Sequence, residues 1–196
     1  GYSKNINKFP KTFENKLRIL KPLVRKKYYE ELINLQDTKL FTIIIIGGSQ
    51  GAKIFDTLLH QILVNVSKRV KIKVIQQTSD TNQNFLTNFY KENRIEHEVF
   101  VFEKNLNKLL IKSDLCITRG GASSLAELSL LKVPFISIPL PSAMDNHQYE
   151  NAKFYEAQNA CWIINQKDFE KQIFEDLLIK IIKNKEEYLV KKNNLE

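Results

Sequence analysis

Four consecutive isoleucines, Ile43 to Ile46, close a β-rich run that begins at Phe41 and stops at two glycines, Gly47 and Gly48. A strand with one wet face alternates apolar and polar residues. A run without alternation suits a strand buried on both faces, and such strands belong to parallel sheets covered by helices on both sides. The rest of the chain repeats the theme. Strand-like runs stand at residues 41–46, 72–75, 99–102, 115–118, 135–138 and 161–164. Helix-like stretches lie between them, near 54–66, 81–92, 106–111, 123–131 and 148–156, and another closes the chain at 169–183. Parallel neighbours need long crossovers, which helices supply. The expected fold class is α/β, a doubly wound, Rossmann-like parallel sheet. Ligands of such sheets bind beyond the carboxyl ends of the strands, so the segments that follow each strand carry the functional information.

Composition narrows the rest. A chain of 196 residues fits one domain with a core of its own. At 43% hydrophobic and 27% charged it is neither disordered nor fibrous. Thirty Lys and Arg against 22 Asp and Glu leave a net charge of +8, which permits phosphate-bearing ligands, nucleic acid or an anionic membrane surface as partners. No Arg-rich block with interleaved aromatics occurs, so no nucleic acid is expected. Cys116 and Cys161 lack a Cys-x-x-Cys spacing and imply a reducing compartment rather than disulfides or zinc. No apolar run approaches bilayer length, and the opening residues carry no signal-peptide pattern.

The chain begins at Gly1, not Met, and ends on Leu195-Glu196 in the manner of a cloning scar, so it is read as a piece of a longer protein. Residues 1–22, Lys/Asn-rich and containing Pro10 and Pro22, read as a strap or interdomain linker with an extended segment at 17–20. Leu23, Tyr28, Leu32 and Leu35 show helical spacing over 23–36. Residues 23–196 form the expected domain.

Three segments after strands carry chemistry. Gly47-Gly48-Ser49-Gln50-Gly51-Ala52 leads into a helix. Its glycines let backbone N–H groups approach an anion at the helix N-terminus, in a spacing that fits neither the dinucleotide fingerprint nor a Walker loop. Thr118-Arg119-Gly120-Gly121-Ala122-Ser123-Ser124-Leu125-Ala126-Glu127 repeats the arrangement at another strand end. Two such loops can clasp a pyrophosphate, and Glu127, one turn past Ser123, can accept from a ribose diol. The plainer alternative makes Ser123 or Ser124 a helix cap and Glu127 a carboxylate that complements the helix dipole. The third segment runs from Pro139 to Ala152 and brings Asp145, Asn146, His147 and Gln148 into a helix with Asn151 on the same face. Amides suit sugar hydroxyls, because each offers a donor and an acceptor. No Asp-x-Asp and no paired histidines occur, so no metal and no cofactor are expected.

These three segments, in this order, resemble the C-terminal, donor-binding half of the family-28 glycosyltransferases of the GT-B fold, over residues 22–154. The resemblance implies one half of a GT-B fold and UDP-GlcNAc as donor substrate. It implies transfer of GlcNAc, β1-4 and with inversion, to undecaprenyl-diphospho-MurNAc-pentapeptide (lipid I), giving lipid II for peptidoglycan. The acceptor site, general base and membrane-facing patch would lie in an N-terminal half absent from this chain, so no catalytic residue is assigned here. The implied partners are UDP-GlcNAc, lipid I through that missing half, and the anionic inner-membrane surface at its cytoplasmic face. By position, Gly48, Ser49 and Gln50 would meet the donor's phosphate or sugar. Ala122, Ser123 and Ser124 would line the phosphates, and Glu127 the ribose hydroxyls. Phe102 and the Glu103 backbone would frame the uracil. Gln148 and Asn151 would read GlcNAc hydroxyls beside His147. Arg25, in Pro22-Leu23-Val24-Arg25, stands at the family's strap and would help hold the donor. Two other readings fit the same residues: a different UDP-sugar enzyme, such as a hydrolase or glycolipid synthase, and a noncatalytic UDP-sugar-binding subunit.

Overall fold

Side chains of β1 (Phe41–Ile46) leave the strand towards two different cores. Ile43 and Ile45 join Leu115, Ile117 and Ile136 in one, and Ile44 and Ile46 join Cys116 and Phe135 in the other. Alternation along an extended chain produces this division, and burial on both faces explains why Ile43 to Ile46 are all apolar. In the computed structural model, which describes residues 10–16, 23–30, 40–48, 53–143 and 146–195, β1 lies at the centre of a six-stranded sheet. Its companions are β2 (Ile72–Gln77), β3 (Glu96–Phe100), β4 (Leu115–Thr118), β5 (Phe135–Ser137) and β6 (Cys161–Ile163). All pairs are parallel, in the order β3-β2-β1-β4-β5-β6.

Helices cover both faces. Phe55, Leu59 and Leu63 of α2 (Lys53–Arg69), Leu86 of α3 (Asp80–Glu92) and Phe174 and Leu178 of α7 (Lys171–Lys183) pack on the first face. Leu110 of α4 (Leu106–Leu110), Leu125 and Leu128 of α5 (Ala122–Leu130) and Tyr155 of α6 (His147–Glu156) pack on the second. Tyr28 of α1 (Lys26–Glu30) and Leu195, beyond α8 (Lys185–Asn193), are fully buried in the second core. The segment before the sheet and the end of the chain therefore close on one face. No helix among the described residues is long and apolar enough to cross a membrane.

The register aligns the strand ends that matter. Ile45 sits opposite Gln76 on one side and Ile117 on the other, and Ile46 sits opposite Thr118. Sequence order reverses between β1 and β4, so the connections leaving these two strands diverge and open a crevice at their carboxyl ends.

All six expected strands are present, β1 and β4 with the expected bounds and the other four with shifted ends. β3 starts at Glu96 because it is an edge strand: Glu96 and Glu98 are exposed, and their polarity hides the strand from a search for apolar runs. α8 was not expected, since its sequence is mostly charged. Asn184 caps it by accepting from the Glu187 N–H at 3.1 Å, and Lys191 pins it to the fold by donating to the Cys161 carbonyl at 3.1 Å and to Asn159 at 2.8 Å. Residues 11–16 form a 3-10 turn. The expected extended segment at 17–20, and Leu32 and Leu35 of the expected helix, lie outside the described residues.

Candidate functional site

The crevice between β1 and β4 opens into a cleft of about 870 Å³. Gly47 and Gly48 form its wall after β1, and Arg119, Gly121 and the first turn of α5 form its wall after β4. Gly48 has φ +79°, a left-handed conformation that glycine adopts without a Cβ penalty. Neither Ser123 nor Ser124 is the cap of α5. The helix starts at Ala122 with Gly121 as N-cap and no side-chain cap bond, so Ser123 and Ser124 lie in the first turn and line the cleft. The positive end of the helix dipole faces the cleft there, an arrangement that favours an anion.

Gly120 sets how closely α6 can approach. Its φ is +89°, and a Cβ on it would stand 2.7 Å from the Gln148 carbonyl oxygen and 2.8 Å from the Ser137 hydroxyl. Only glycine permits that approach. It lets the first turn of α6 project His147, Gln148 and Asn151 into the cleft. Each amide uses one end to hold the site. Gln148 Oε1 accepts from the Leu140 N–H at 2.8 Å, and Asn151 Nδ2 donates to the Gly120 carbonyl at 3.1 Å. An N–H can bond only the oxygen of an amide and a carbonyl only its nitrogen, so both orientations are fixed. Gln148 presents a donor to the cleft and Asn151 an acceptor.

A second compartment of about 470 Å³ adjoins the first through Gly48, Ser123 and Ser124. Leu23, Arg25, Ile46, Gln77, Leu106 and Glu127 complete it. Glu127 is nearly buried, and Arg25 lays Nε at 3.0 Å and Nη2 at 2.7 Å on its Oε1. Arg25 Nη2 also donates to the Tyr28 hydroxyl at 3.0 Å, and its guanidinium lies 5.2 Å from the centre of that ring. The hydrogen bond to Glu127 raises the Arg25 pKa. Burial, and then Glu127, raises that of Tyr28. Lys27 adds a tie by donating to the Lys104 carbonyl at 2.7 Å. Phe102 is exposed, and Glu103 accepts from the Asn105 N–H at 2.6 Å. Neither lines the two compartments as they stand; Leu106, just beyond, does. Ser49, Gln50 and Asp145 lie outside the described residues.

The profile of the "Glycosyltransferase family 28 C-terminal domain" matches residues 42–196, which is most of the chain. The chain belongs to that family. A curated relative from Pelagibacter ubique is 44% identical over 195 residues, covering 100% of this chain and 55% of its own length. It is named UDP-N-acetylglucosamine–N-acetylmuramyl-(pentapeptide) pyrophosphoryl-undecaprenol N-acetylglucosamine transferase. A relative of the same name from Rickettsia canadensis is 37% identical over 186 residues, 92% of this chain and 52% of its own. The chain thus spans about half the length of these relatives. The crystal structure of Acinetobacter baumannii MurG superposes with a TM-score of 0.71 at 25% identity, over 88% of this chain and 49% of that one. The Rossmann-like sheet therefore matches a GT-B glycosyltransferase structure, as the sequence motifs implied.

Within this family-28 domain, sequence reasoning passed over several residues that the fold brings to the cleft. Lys53, at the start of α2, and Arg119 both line it. Arg119 is nearly buried and donates from Nη1 to the Ile138 carbonyl at 3.1 Å and to Gln166 Oε1 at 2.7 Å, with its guanidinium 4.9 Å from the Phe55 ring centre. No carboxylate pairs with it among the described residues, and burial lowers its pKa. Its place directly after a strand was a usable signal. Behind the cleft, the nearly buried Asp56 of α2 accepts from Gln76 at 3.0 Å, Thr78 at 2.8 Å and Asn82 at 2.9 Å, bracing the start of α2 against the end of β2. Nothing in a linear pattern announces that network. No group of three or more His, Cys, Asp or Glu side chains is placed to hold a metal ion among the described residues.

Proposed function

We propose that this chain is the donor-binding half of a transferase that moves GlcNAc from UDP-GlcNAc to lipid I, forming lipid II. One observation carries the reading. At the β1/β4 switch point of a family-28 domain, a helix N-terminus, glycine turns and two oriented amides converge on a single cleft. The diphosphate lies against the first turn of α5, and Ser49 and Gln50 are assigned to the donor's phosphate or sugar from their place in the sequence alone. The GlcNAc hydroxyls meet the Gln148 donor and the Asn151 acceptor, with His147 beside them. The nucleoside enters the strap-side compartment, where Glu127 takes ribose hydroxyls, Arg25 closes over the donor, and the Phe102–Glu103 segment frames the uracil. The names of the relatives support both substrates.

The reaction is a direct displacement at the anomeric carbon. The acceptor hydroxyl attacks as UDP departs, through an oxocarbenium-like transition state with inversion. This half orients the donor and stabilises the charge that develops on the leaving diphosphate. Backbone N–H groups of α5, Lys53 and Arg119 supply that stabilisation without a metal ion, each well-placed donor being worth roughly 10²–10³-fold. No residue of this chain serves as general base, and the acceptor is bound by the half that the relatives have in addition. The net charge of +8 suits an anionic inner-membrane surface at the cytoplasmic face, where each nearby Lys or Arg contributes about 1 kcal/mol.

The test is a transfer assay with lipid I in vesicles, using UDP-GlcNAc, UDP-glucose and UDP-GalNAc. The chain joined to its preceding half transfers GlcNAc in preference to the other sugars, and the chain alone binds UDP-GlcNAc and transfers nothing. Transfer by the chain alone, or a preference for another sugar, overturns the assignment.

A further inference from the structure

Two adjacent glutamines end β2, and they differ in how their amides are satisfied. Gln76 is fully buried and bonded at both ends, with Nε2 donating to Asp56 at 3.0 Å and Oε1 accepting from the Tyr90 hydroxyl at 2.6 Å. Gln77 leaves the strand on the opposite face and lines the strap-side compartment with Leu106, Ser124 and Glu127. Its Nε2 reaches the Val101 carbonyl only at 3.5 Å, beyond the range of a good hydrogen bond. Its Oε1 is buried and meets no donor among the described residues. A buried acceptor without a donor is an exception that calls for a physical reason.

We propose that Gln77 is a specificity-determining residue for the nucleoside, its side-chain oxygen accepting a hydrogen bond from an O–H or N–H of the bound ligand. The inference rests on the donor-site reading above and deepens it. Position supports it. Gln77 ends β2, and Glu127 lies in the helix that follows β4, with β1 between those strands. The two side chains therefore flank the compartment from opposite sides. Gln77 is also in register with Phe100, two residues before Phe102. Energetics point the same way. The last torsion of a glutamine is soft, and the 3.5 Å contact to Val101 is weak, so turning the amide towards a ligand loses little. A ligand hydrogen satisfies an acceptor that otherwise has none. A pyrimidine nucleoside offers two sources of it, the ribose 2′-hydroxyl and the ring N3–H.

Titration calorimetry of this chain separates them, using UDP, 2′-deoxy-UDP, N3-methyl-UDP and inorganic pyrophosphate. The unaltered chain binds UDP about tenfold more tightly than one of the two analogues. Gln77→Met abolishes that preference and leaves pyrophosphate affinity unchanged, whereas Gln77→Glu, which keeps the acceptor, retains the preference. Loss of the 2′-deoxy preference assigns the ribose, and loss of the N3-methyl preference assigns the base. A preference that persists in Gln77→Met overturns the proposal, as does equal weakening of UDP and pyrophosphate, or no discrimination by the unaltered chain. No UDP binding by the unaltered chain overturns the donor-site reading itself. Melting curves confirm that each variant is folded, and Gln77→Glu carries the test should Gln77→Met unfold.

Discussion

Arg25 places two nitrogens on one oxygen of Glu127, at 2.7 and 3.0 Å, across 102 residues of sequence. The Glu127 side chain is 7% exposed and that of Arg25 is 63% exposed, so the carboxylate is fixed and the guanidinium is free to leave for water. The pair ties the strap to the first helix after β4. A nucleoside that uses Glu127 must share this oxygen or displace Arg25.

On the proposed donor site, Glu127→Ala weakens UDP binding by roughly tenfold or more, because the proposed charge-assisted hydrogen bond with the ribose is lost. Arg25→Ala lowers stability by about 1 kcal/mol or less, as expected of an ion pair with one exposed partner. Calorimetry and melting curves on the two variants check both statements. Equal UDP affinity in Glu127→Ala removes the ribose assignment.

The two left-handed glycines respond differently to a methyl group. At Gly48 an added Cβ meets nothing within 4 Å among the described residues, so Gly48→Ala carries only backbone strain, about 1–2 kcal/mol. At Gly120 the same change adds collisions at 2.7 and 2.8 Å and costs about 2–4 kcal/mol in all. Urea unfolding measures the difference. A Gly120→Ala protein as stable as Gly48→Ala contradicts the close approach of α6.

Gln148→Ala and Asn151→Ala act on the sugar. In the proposed donor site each removes one polar contact to GlcNAc, so the advantage of UDP-GlcNAc over UDP shrinks by roughly fivefold to tenfold while UDP itself binds nearly as before. Competition titrations read that ratio directly. A proportional loss for both ligands places these amides in the scaffold instead.

Cys116 and Cys161 are buried, and burial pushes both thiols up, that of Cys161 to about 12. Neither reacts with a thiol reagent at pH 8 in the folded chain, and both react in guanidinium. The unfolded thiols ionise near pH ~8.5. Stability due to these groups is complete below that pH and falls as pH rises towards 12, because only the unfolded chain can release the protons. A melting temperature that is flat from pH 8 to 11 contradicts this burial.

Much of the fold was legible because burial leaves a mark on single segments. The isoleucines of β1 reveal a two-faced core, and the glycines after β1 and β4 mark the switch point. β3 was blurred because an edge strand wears glutamates on its wet side. α8 was missed because tertiary pins, chiefly Lys191, hold it rather than an apolar stripe. Asp56 and the Gln76–Tyr90 contact were invisible for a similar reason, since a polar network is defined by convergence in space. Of the candidate residues, Arg25, Gly48, Ala122, Ser123, Ser124, Glu127, His147, Gln148 and Asn151 line the two adjoining compartments. Phe102 and Glu103 stand just outside them.

Calorimetric titration of this chain with UDP, in buffer containing a chelator, tests the central claim most directly. The account predicts one binding site in the chelator, unaffected by added magnesium and weakened at least tenfold by Glu127→Ala. Binding only when magnesium is supplied, no binding under either condition, or full affinity in the variant contradicts it.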